Sequence, residues 1–431
     1  MWTPACVSFL VSSDRVYKER RMGLMLQDII DSTKLDPAFC AELVGVATDQ
    51  FQEWLSGAPL PRFVIPELSS ILGVPEKTLI SCGGSKARST DSGVLAPAVW
   101  YKLRNERLTT SDREMVGLVR KLGYYIDQLK SIRNTRVRRF EVVFRTVRAE
   151  VDRTQPPTLQ GRAAARAFRS TTELEHGEQG IGEWVRPTLR KLGVLVVESP
   201  IKSDVEGCTF MVGSEASLTP CLFANSYKST WFRRNAVIMH ELAHAILDLE
   251  NDPVALDFKD GTEQTELSEL RAQVFAQESL VPRSVLVRMA NRFGLKWSDL
   301  TAENVARLVA DSHVEKGLVL KAALDHELID AAQFERYSSY ECDPLVRSLS
   351  SHALTTREFL KKHAAESPKW VAENRNTNVG RRPLRLPSTY VAEVVGAFND
   401  GEISMGKAAE MLMVEKETFR ARFCSEQQLI G

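Results

Sequence analysis

Apolar and polar positions alternate in two ways along the chain, and each way predicts a different kind of element. Apolar residues recur every three or four positions between Leu24 and Leu72, which indicates a bundle of short helices over residues 23–81. Gly45 and Gly57 interrupt this pattern and place turns between the helices. The N-terminal part of the chain is therefore predicted to be all-α.

The middle of the chain combines helical stretches with short apolar runs that have the length and boundaries of strands. Helical spacing extends over residues 161–174 and 182–192, and three strands are then predicted, at Val194–Val197, Cys208–Val212 and Pro220–Ala224. From Arg233 the helical pattern continues almost to residue 365, except for an acidic loop around residues 250–263. The predicted fold class is multidomain and mainly α, with a small central α+β core.

Composition shifts divide the chain further. Stretches rich in glycine, serine or proline at residues 82–97 and 367–388 are typical of linkers. Three short helices are predicted after the second linker, and Ser404 is expected to cap the middle one. The predicted order is an N-terminal extension (1–22), a helix-turn-helix unit (23–81), a linker (82–97), a basic helical connector (98–160), the α+β core (161–285), a helical region (286–366), a linker (367–388) and a second, small helix-turn-helix-like unit (389–431).

The overall composition excludes several protein classes. At 431 residues, with 43% hydrophobic and 26% charged side chains, the chain has the composition of a globular protein of several domains. Lys and Arg balance Asp and Glu at 56 each, which argues against a general binder of nucleic acids or membrane surfaces. Seven dispersed cysteines without a CxxC pair suit a reducing cytoplasm, and no apolar run is long enough for a membrane span.

Charge is nevertheless distributed unevenly. Residues 22–81 carry three basic and eight acidic side chains, which disfavours DNA binding by that unit alone because phosphate contacts need Lys and Arg. Residues 120–170 carry thirteen basic and four acidic side chains. This segment is either a solvated helix face lying on the acidic N-terminal unit or a nucleic-acid contact surface. In the second interpretation the contacts come from Arg133, Arg136, Arg138, Arg139, Arg145 and Arg148.

One motif has the residue types and spacing of a metal-binding site. The pentapeptide His240-Glu241-Leu242-Ala243-His244 lies in the helical run AVIMHELAHAILDLE. Histidines four positions apart share one face of a helix, so both imidazoles can bind one Zn²⁺ while Glu241 lies beside them, near a metal-bound water. The competing interpretation is a helix on which these three side chains are only polar surface.

A zinc site with two histidines needs a third protein ligand. The next histidine, His313, follows 69 residues later and does not have the spacing of a third histidine ligand. A carboxylate from a second helix is the better candidate. The helical stretch TELSELRAQVFAQESLVP offers Glu266 and Glu269.

The segment HELAHAIL followed by ExxAxxFAxxxLVP resembles the ImmA/IrrE family of zinc metallopeptidases. The resemblance implies a minimal zincin core over residues 161–285, with Glu269 as the third zinc ligand after His240 and His244. It also implies that the strand Pro220–Asn225 is an edge strand that can hold an extended substrate. In one respect the chain departs from the family, which often has an acidic residue where this chain has Arg271.

Two other segments resemble small DNA-binding modules. The phrase WLSG followed by LPRFVIPELSSILGVPEKTL is similar to the XRE family of helix-turn-helix domains. The phrase GEISMGKAAEMLMVEKETF resembles helix-turn-helix segments of antitoxin-like proteins.

The ImmA/IrrE resemblance implies metal-assisted amide hydrolysis in which Glu241 is the general base. It further implies a regulatory endopeptidase that cleaves one specific partner, a repressor or antitoxin-like protein that is co-encoded, in a stress, mobile-element or phage-defence response. The alternative is a DNA-binding transcriptional regulator or sensor that uses a zincin fold without cleavage, with single-stranded DNA among its candidate ligands.

Overall fold

The computed structural model of the protein describes residues 26–33, 37–72, 76, 79–80, 110–133, 139–172, 181–200, 205–212, 219–227, 229–248, 254–258, 266–350, 353–355, 358, 378–379, 382–383 and 386–424. The predicted N-terminal extension and the linker at 82–97 lie outside these residues. The chain divides into two compact units, Met1–Tyr124 and Tyr125–Gly431. Most of the described residues are helical.

The first unit contains the predicted short helices. They are α1 (Leu26–Thr33), α2 (Pro37–Leu43), α3 (Thr48–Leu55) and α4 (Ile65–Leu72). Their helical spacing buries one apolar face, on which the Phe51 and Trp54 rings meet edge to face at 5.8 Å. Gly45 and Gly57 have positive φ angles of 69° and 102°, as the predicted turns require. A helix-turn-helix function for this unit stays a prediction.

Helix α5 (Thr110–Arg133) contains the boundary between the two units. The second unit then has helices α6 (Arg139–Ala149), α7 (Pro157–Thr172) and α8 (Ile181–Leu192), strands β1 (Leu195–Ser199), β2 (Val205–Val212) and β3 (Thr219–Asn225), helix α9 (Trp231–Leu247), strand β4 (Val254–Phe258), and helices α10 (Glu266–Leu280), α11 (Arg283–Phe293), α12 (Ala302–Ser312), α13 (Lys316–Asp325), α14 (Ala331–Ser338) and α15 (Asp343–Leu349). The three predicted strands are thus confirmed, each with bounds that differ by a few residues.

The four strands form one sheet in the order β1-β3-β2-β4. Strand β1 pairs parallel with β3, and β2 pairs antiparallel with both β3 and β4. The expectation that Pro220–Asn225 is an edge strand is wrong, because β3 has a partner on each side. The acidic loop around residues 250–263 also contains a strand that the sequence pattern did not predict, since Val254–Phe258 is stabilised by pairing with β2.

A hydrophobic core of the second unit extends from Phe140 to Ala353 and encloses the metal-motif helix α9. Within it, α7 and α10 approach closely at Gly161, where an added Cβ would lie 2.5 Å from the Arg271 carbonyl oxygen. Among the described residues, no helix combines the length and the apolar character that a membrane span requires.

The C-terminal residues include a short hairpin, β5 (Asn378–Val379) with β6 (Arg382–Pro383), and the helices α16 (Ser388–Asn399), α17 (Met405–Met411) and α18 (Lys416–Phe423). The predicted cap is confirmed, since the Ser404 side chain accepts a hydrogen bond from the backbone of Lys407. These helices contact α5, whose Tyr125 hydroxyl donates to Glu410 Oε1 at 3.1 Å.

Candidate metal centre

The motif helix α9 is buried along almost its whole length. Thr230 caps its N-terminus by accepting a hydrogen bond from the backbone N–H of Arg233, and the apolar positions of α9 pack into the core. His240 is only 8% exposed, and Glu241 and His244 are fully buried. These three side chains are therefore not polar surface of the helix.

Helix α10 places a carboxylate against both imidazoles. Glu269 Oε2 lies 3.2 Å from His240 Nε2, and Glu269 Oε1 lies 3.4 Å from His244 Nε2. The two Nε2 atoms are 3.0 Å apart. Within the described part of the chain, this is the one group of three His, Cys, Asp or Glu residues whose ligand atoms could hold a metal ion. Glu266, the other sequence candidate, begins α10, and its side chain is outside the described residues.

The three side chains suit a zinc ion in both geometry and charge. Tetrahedral Zn²⁺ with ligands at roughly 2.0–2.1 Å separates neighbouring ligand atoms by about 3.3 Å, close to the distances between these nitrogens and oxygens. Burial would favour the neutral acid of Glu269, but hydrogen bonds to His240 and His244 and their charge lower its pKa to about 2. Glu269 is therefore an anion at neutral pH, as a carboxylate ligand of zinc must be.

A further carboxylate, which sequence reasoning missed, contacts His244 from behind. Asp248 Oδ2 lies 2.7 Å from His244 Nδ1, so the other nitrogen of the ring is directed at His240 and Glu269. Burial opposes the charged imidazolium, but hydrogen bonds to Asp248 and Glu269 raise the pKa of His244. The four-residue spacing of His244 and Asp248 at the end of the predicted helix was the available sequence signal.

The Glu241 side chain points toward strand β2. Thr209 Oγ1 lies within hydrogen-bonding distance of Glu241 Oε2 and 2.9 Å from the Glu241 carbonyl oxygen. A Cβ at Gly207 would collide with the Glu241 carboxylate. Strand β2 thus supplies a hydroxyl group that orients the Glu241 carboxylate, and its Gly207 leaves the space that this carboxylate occupies.

The comparisons with known proteins bear on this centre. Residues 189–325 match the family model Peptidase_M78, the IrrE N-terminal-like domain. The match spans the sheet and α9 to α13, and it supports the predicted ImmA/IrrE resemblance for this part of the chain. No curated protein and no solved structure matches the chain. The XRE resemblance lies outside the matched residues and stays a prediction.

Two of the six arginines predicted to contact nucleic acid have partners within the protein. Arg133 pairs with Asp400 and with Glu402, the latter at 2.8 Å. The guanidinium of Arg148 donates to the carbonyl oxygens of residues 245 and 246, at the C-terminal end of the motif helix α9. Both guanidinium groups therefore have partners within the chain.

The remaining arginines of that set have different positions. Arg145 is exposed on α6. Arg136 and Arg138 lie outside the described residues, and Arg139 begins α6 with a side chain that is not described. Nucleic-acid binding by this segment stays a prediction, with Arg145 as its exposed described member.

Proposed function

We propose that the protein is a zinc-dependent endopeptidase. The observation that carries the proposal is the convergence of His240, His244 and Glu269 on one point, with the buried carboxylate of Glu241 on the same helix as the two histidines. The match of the surrounding residues to the IrrE N-terminal-like domain supports it independently.

In this proposal, His240, His244 and Glu269 hold Zn²⁺. When bound, zinc polarises a scissile carbonyl group and lowers the pKa of a coordinated water. Glu241 accepts the proton of the attacking water on its carboxylate and returns it to the leaving amine nitrogen. Thr209 holds that carboxylate in place through its hydroxyl group.

The substrate is proposed to be one specific protein partner. His240 and Glu269 are each only 8% exposed, so the centre admits an extended, flexible segment more readily than a folded surface. This restricted access supports limited cleavage of a repressor or antitoxin-like protein, co-encoded with this one, in a stress, mobile-element or phage-defence response. The proposed setting is the cytoplasm, where the dispersed cysteines remain reduced.

The proposal is tested by zinc content and partner cleavage in the wild type and in Glu241→Gln, with and without single-stranded DNA. We expect about one zinc per chain in both proteins and cleavage of the co-encoded partner by the wild type alone. Glu315→Gln is the matched control, because it removes a carboxylate that pairs with Arg233 outside the centre. It should bind zinc and cleave normally.

Two outcomes would contradict the peptidase. A wild type without zinc would refute the metal centre itself. Zinc in every variant, with no cleavage of any neighbouring protein under either DNA condition, would favour the alternative of a DNA-binding regulator or sensor with a non-cleaving zincin fold.

A further inference from the structure

Asp248 joins the metal centre to the adjacent helices. It directly follows α9, and its two carboxylate oxygens have different partners. Oδ2 contacts His244 Nδ1 at 2.7 Å, and Oδ1 accepts a hydrogen bond from the guanidinium of Arg271 on α10. The side chains of Asp248 and Arg271 are only 18% and 13% exposed. Asp248 is therefore held from both sides in a largely buried position.

Arg271 is held in turn by Gln160 on α7. The Gln160 side-chain amide nitrogen lies 3.2 Å from the Arg153 carbonyl oxygen and 2.6 Å from that of Gln155. Because an amide nitrogen only donates, these contacts determine which way the amide group faces. Its oxygen then accepts from Arg271 at 2.9 Å. The contacts form a continuous chain from the backbone preceding α7 to the imidazole of His244.

We propose that Asp248 is the positioning residue that orients His244 toward the metal, and that Arg271 and Gln160 act through Asp248. A carboxylate that accepts from Nδ1 selects the imidazole tautomer whose Nε2 lone pair is free for a metal, and it restrains rotation of the ring. This inference rests on the proposed metal centre and adds residues that lie outside it.

The inference also gives Arg271 a role. The resemblance to the ImmA/IrrE family leads one to expect an acidic residue at position 271, and a cation there would by itself weaken an adjacent metal site. Here the guanidinium faces Asp248 and not the three ligands. The carboxylate is supplied from the end of α9, and the cation on α10 fixes its orientation.

The competing explanation is that Asp248 and Arg271 are only a structural ion pair joining α9 to α10. The two explanations predict different effects on the zinc affinity of the folded protein. An orienting carboxylate changes zinc affinity by about 10- to 100-fold when it is removed. A purely structural pair changes the thermal unfolding of the metal-free protein and leaves the affinity of the folded protein unchanged.

The test compares zinc affinity, measured by competition with a chromophoric chelator at neutral pH, in the wild type, Asp248→Asn, Arg271→Gln and the double variant. Asparagine has one side-chain acceptor oxygen, so it cannot accept from both His244 and Arg271 through separate atoms. We expect a loss of about 10- to 100-fold for Asp248→Asn and a smaller loss for Arg271→Gln. The double variant should lose no more than Asp248→Asn, because Arg271 acts through Asp248.

Asp311→Asn is the matched control. It disrupts another Arg–Asp pair of the same unit, between Arg292 and Asp311, which has no contact with the histidines. Its zinc affinity should equal that of the wild type. Nitrogen chemical shifts of His244 in the folded metal-free variants provide a second readout, since Asp248→Asn should weaken the hydrogen bond at Nδ1.

Wild-type affinity in Asp248→Asn, with unchanged His244 shifts, would refute the positioning role and leave the proposed peptidase intact. Additive losses in the double variant would refute the action of Arg271 through Asp248. If Asp248→Asn does not fold, the inference depends on Arg271→Gln, which keeps the carboxylate, and wild-type affinity there would refute it. A wild type that binds no zinc would refute both the inference and the proposed function.

Discussion

At the scale of single residues, a hydroxyl group contacts the carboxylate of Glu241. Thr209 Oγ1 is within hydrogen-bonding distance of its carboxylate, and Gly207 leaves the space for it. A hydrogen bond to a charged group is worth about 1.5–3 kcal/mol, which corresponds to about a tenfold or larger change in rate if the bond orients the base.

Thr209→Val keeps the shape of the side chain and removes this donor. We expect partner cleavage to slow by about tenfold or more, while zinc affinity stays at the wild-type value because Thr209 does not contact the ligands. Thr209→Ser, which retains the hydroxyl, should restore most of the rate. Equal rates for Thr209→Val and the wild type would show that Glu241 does not need this contact.

Glu198 gives a prediction about pH. Burial by itself would raise its pKa, but the charges and hydrogen bonds of Arg186 and Arg234 lower it to about 2. The ionised carboxylate therefore stabilises the fold above a pH of about 4.5, and this contribution is lost as the pH falls from there toward 2. From its ordinary value of 4.5, the shift corresponds to roughly 3 kcal/mol.

Glu198→Gln should accordingly lower the free energy of unfolding at pH 7 by about 3 kcal/mol, measured by denaturant titration. The difference from the wild type should shrink as the pH falls below about 4.5. Glu303→Gln is the control, because its ion pair with Arg307 is exposed and worth less than about 1 kcal/mol. A stability difference between Glu198→Gln and the wild type that does not change with pH would contradict the assignment of this pH dependence to the Glu198 carboxylate.

At the scale of elements, the contact between α7 and α10 positions Glu269, the third ligand of the proposed zinc site. An added Cβ at Gly161 would lie 2.5 Å from the Arg271 carbonyl oxygen and 3.2 Å from the backbone nitrogen of Phe275. Both neighbours are backbone atoms of α10, the helix that carries Glu269, and they cannot move aside as a side chain could.

Gly161→Ala should therefore destabilise the protein by about 1–3 kcal/mol through overpacking, although the same change in a helix normally gains up to about 1 kcal/mol. Because α10 must shift, zinc affinity should fall as well. Gly317→Ala is the matched control, since a Cβ there meets nothing within 4 Å. Thermal unfolding should show a lower midpoint for Gly161→Ala and a higher one for Gly317→Ala. A stabilised Gly161→Ala would contradict the close packing of α7 and α10.

At the scale of the whole molecule, charged side chains of α5 contact the C-terminal helices within the second unit. Arg133 pairs with Asp400 and Glu402, and its guanidinium lies 3.1 Å from the position that a Cβ on Gly396 would occupy. A cation predicted to meet nucleic acid thus contacts the C-terminal helices of its own chain.

Arg133→Gln should accelerate amide hydrogen exchange in residues 388–424, because the contact between α5 and these helices loses its charge pairing. Arg145→Gln, which removes an exposed cation, should leave exchange unchanged. If Arg133→Gln instead lost single-stranded DNA binding while its hydrogen exchange stayed at the wild-type rate, Arg133 would be a nucleic-acid contact.

Much of the centre could be predicted from the sequence because the relevant geometry is local. The four-residue spacing of His240 and His244 places both imidazoles on one helix face in any helical context. Glu269 required the additional information of a family resemblance, since the residues alone left Glu266 open. Short apolar runs with turn residues at their ends similarly predicted β1, β2 and β3 to within a few residues.

The tertiary structure alone decided which distant segments meet. Four features depend on residues that lie apart in sequence. They are the central position of β3, the pairing of β4 with β2, the contact of Thr209 with Glu241, and the ion pair between Asp248 and Arg271. Such contacts depend on how a whole core packs, and strand pairing leaves no fixed spacing in the chain. Hydrophobic and helical periodicity determined the elements and the pair of histidines proposed to bind the metal, while long-range packing determined the partners that orient them.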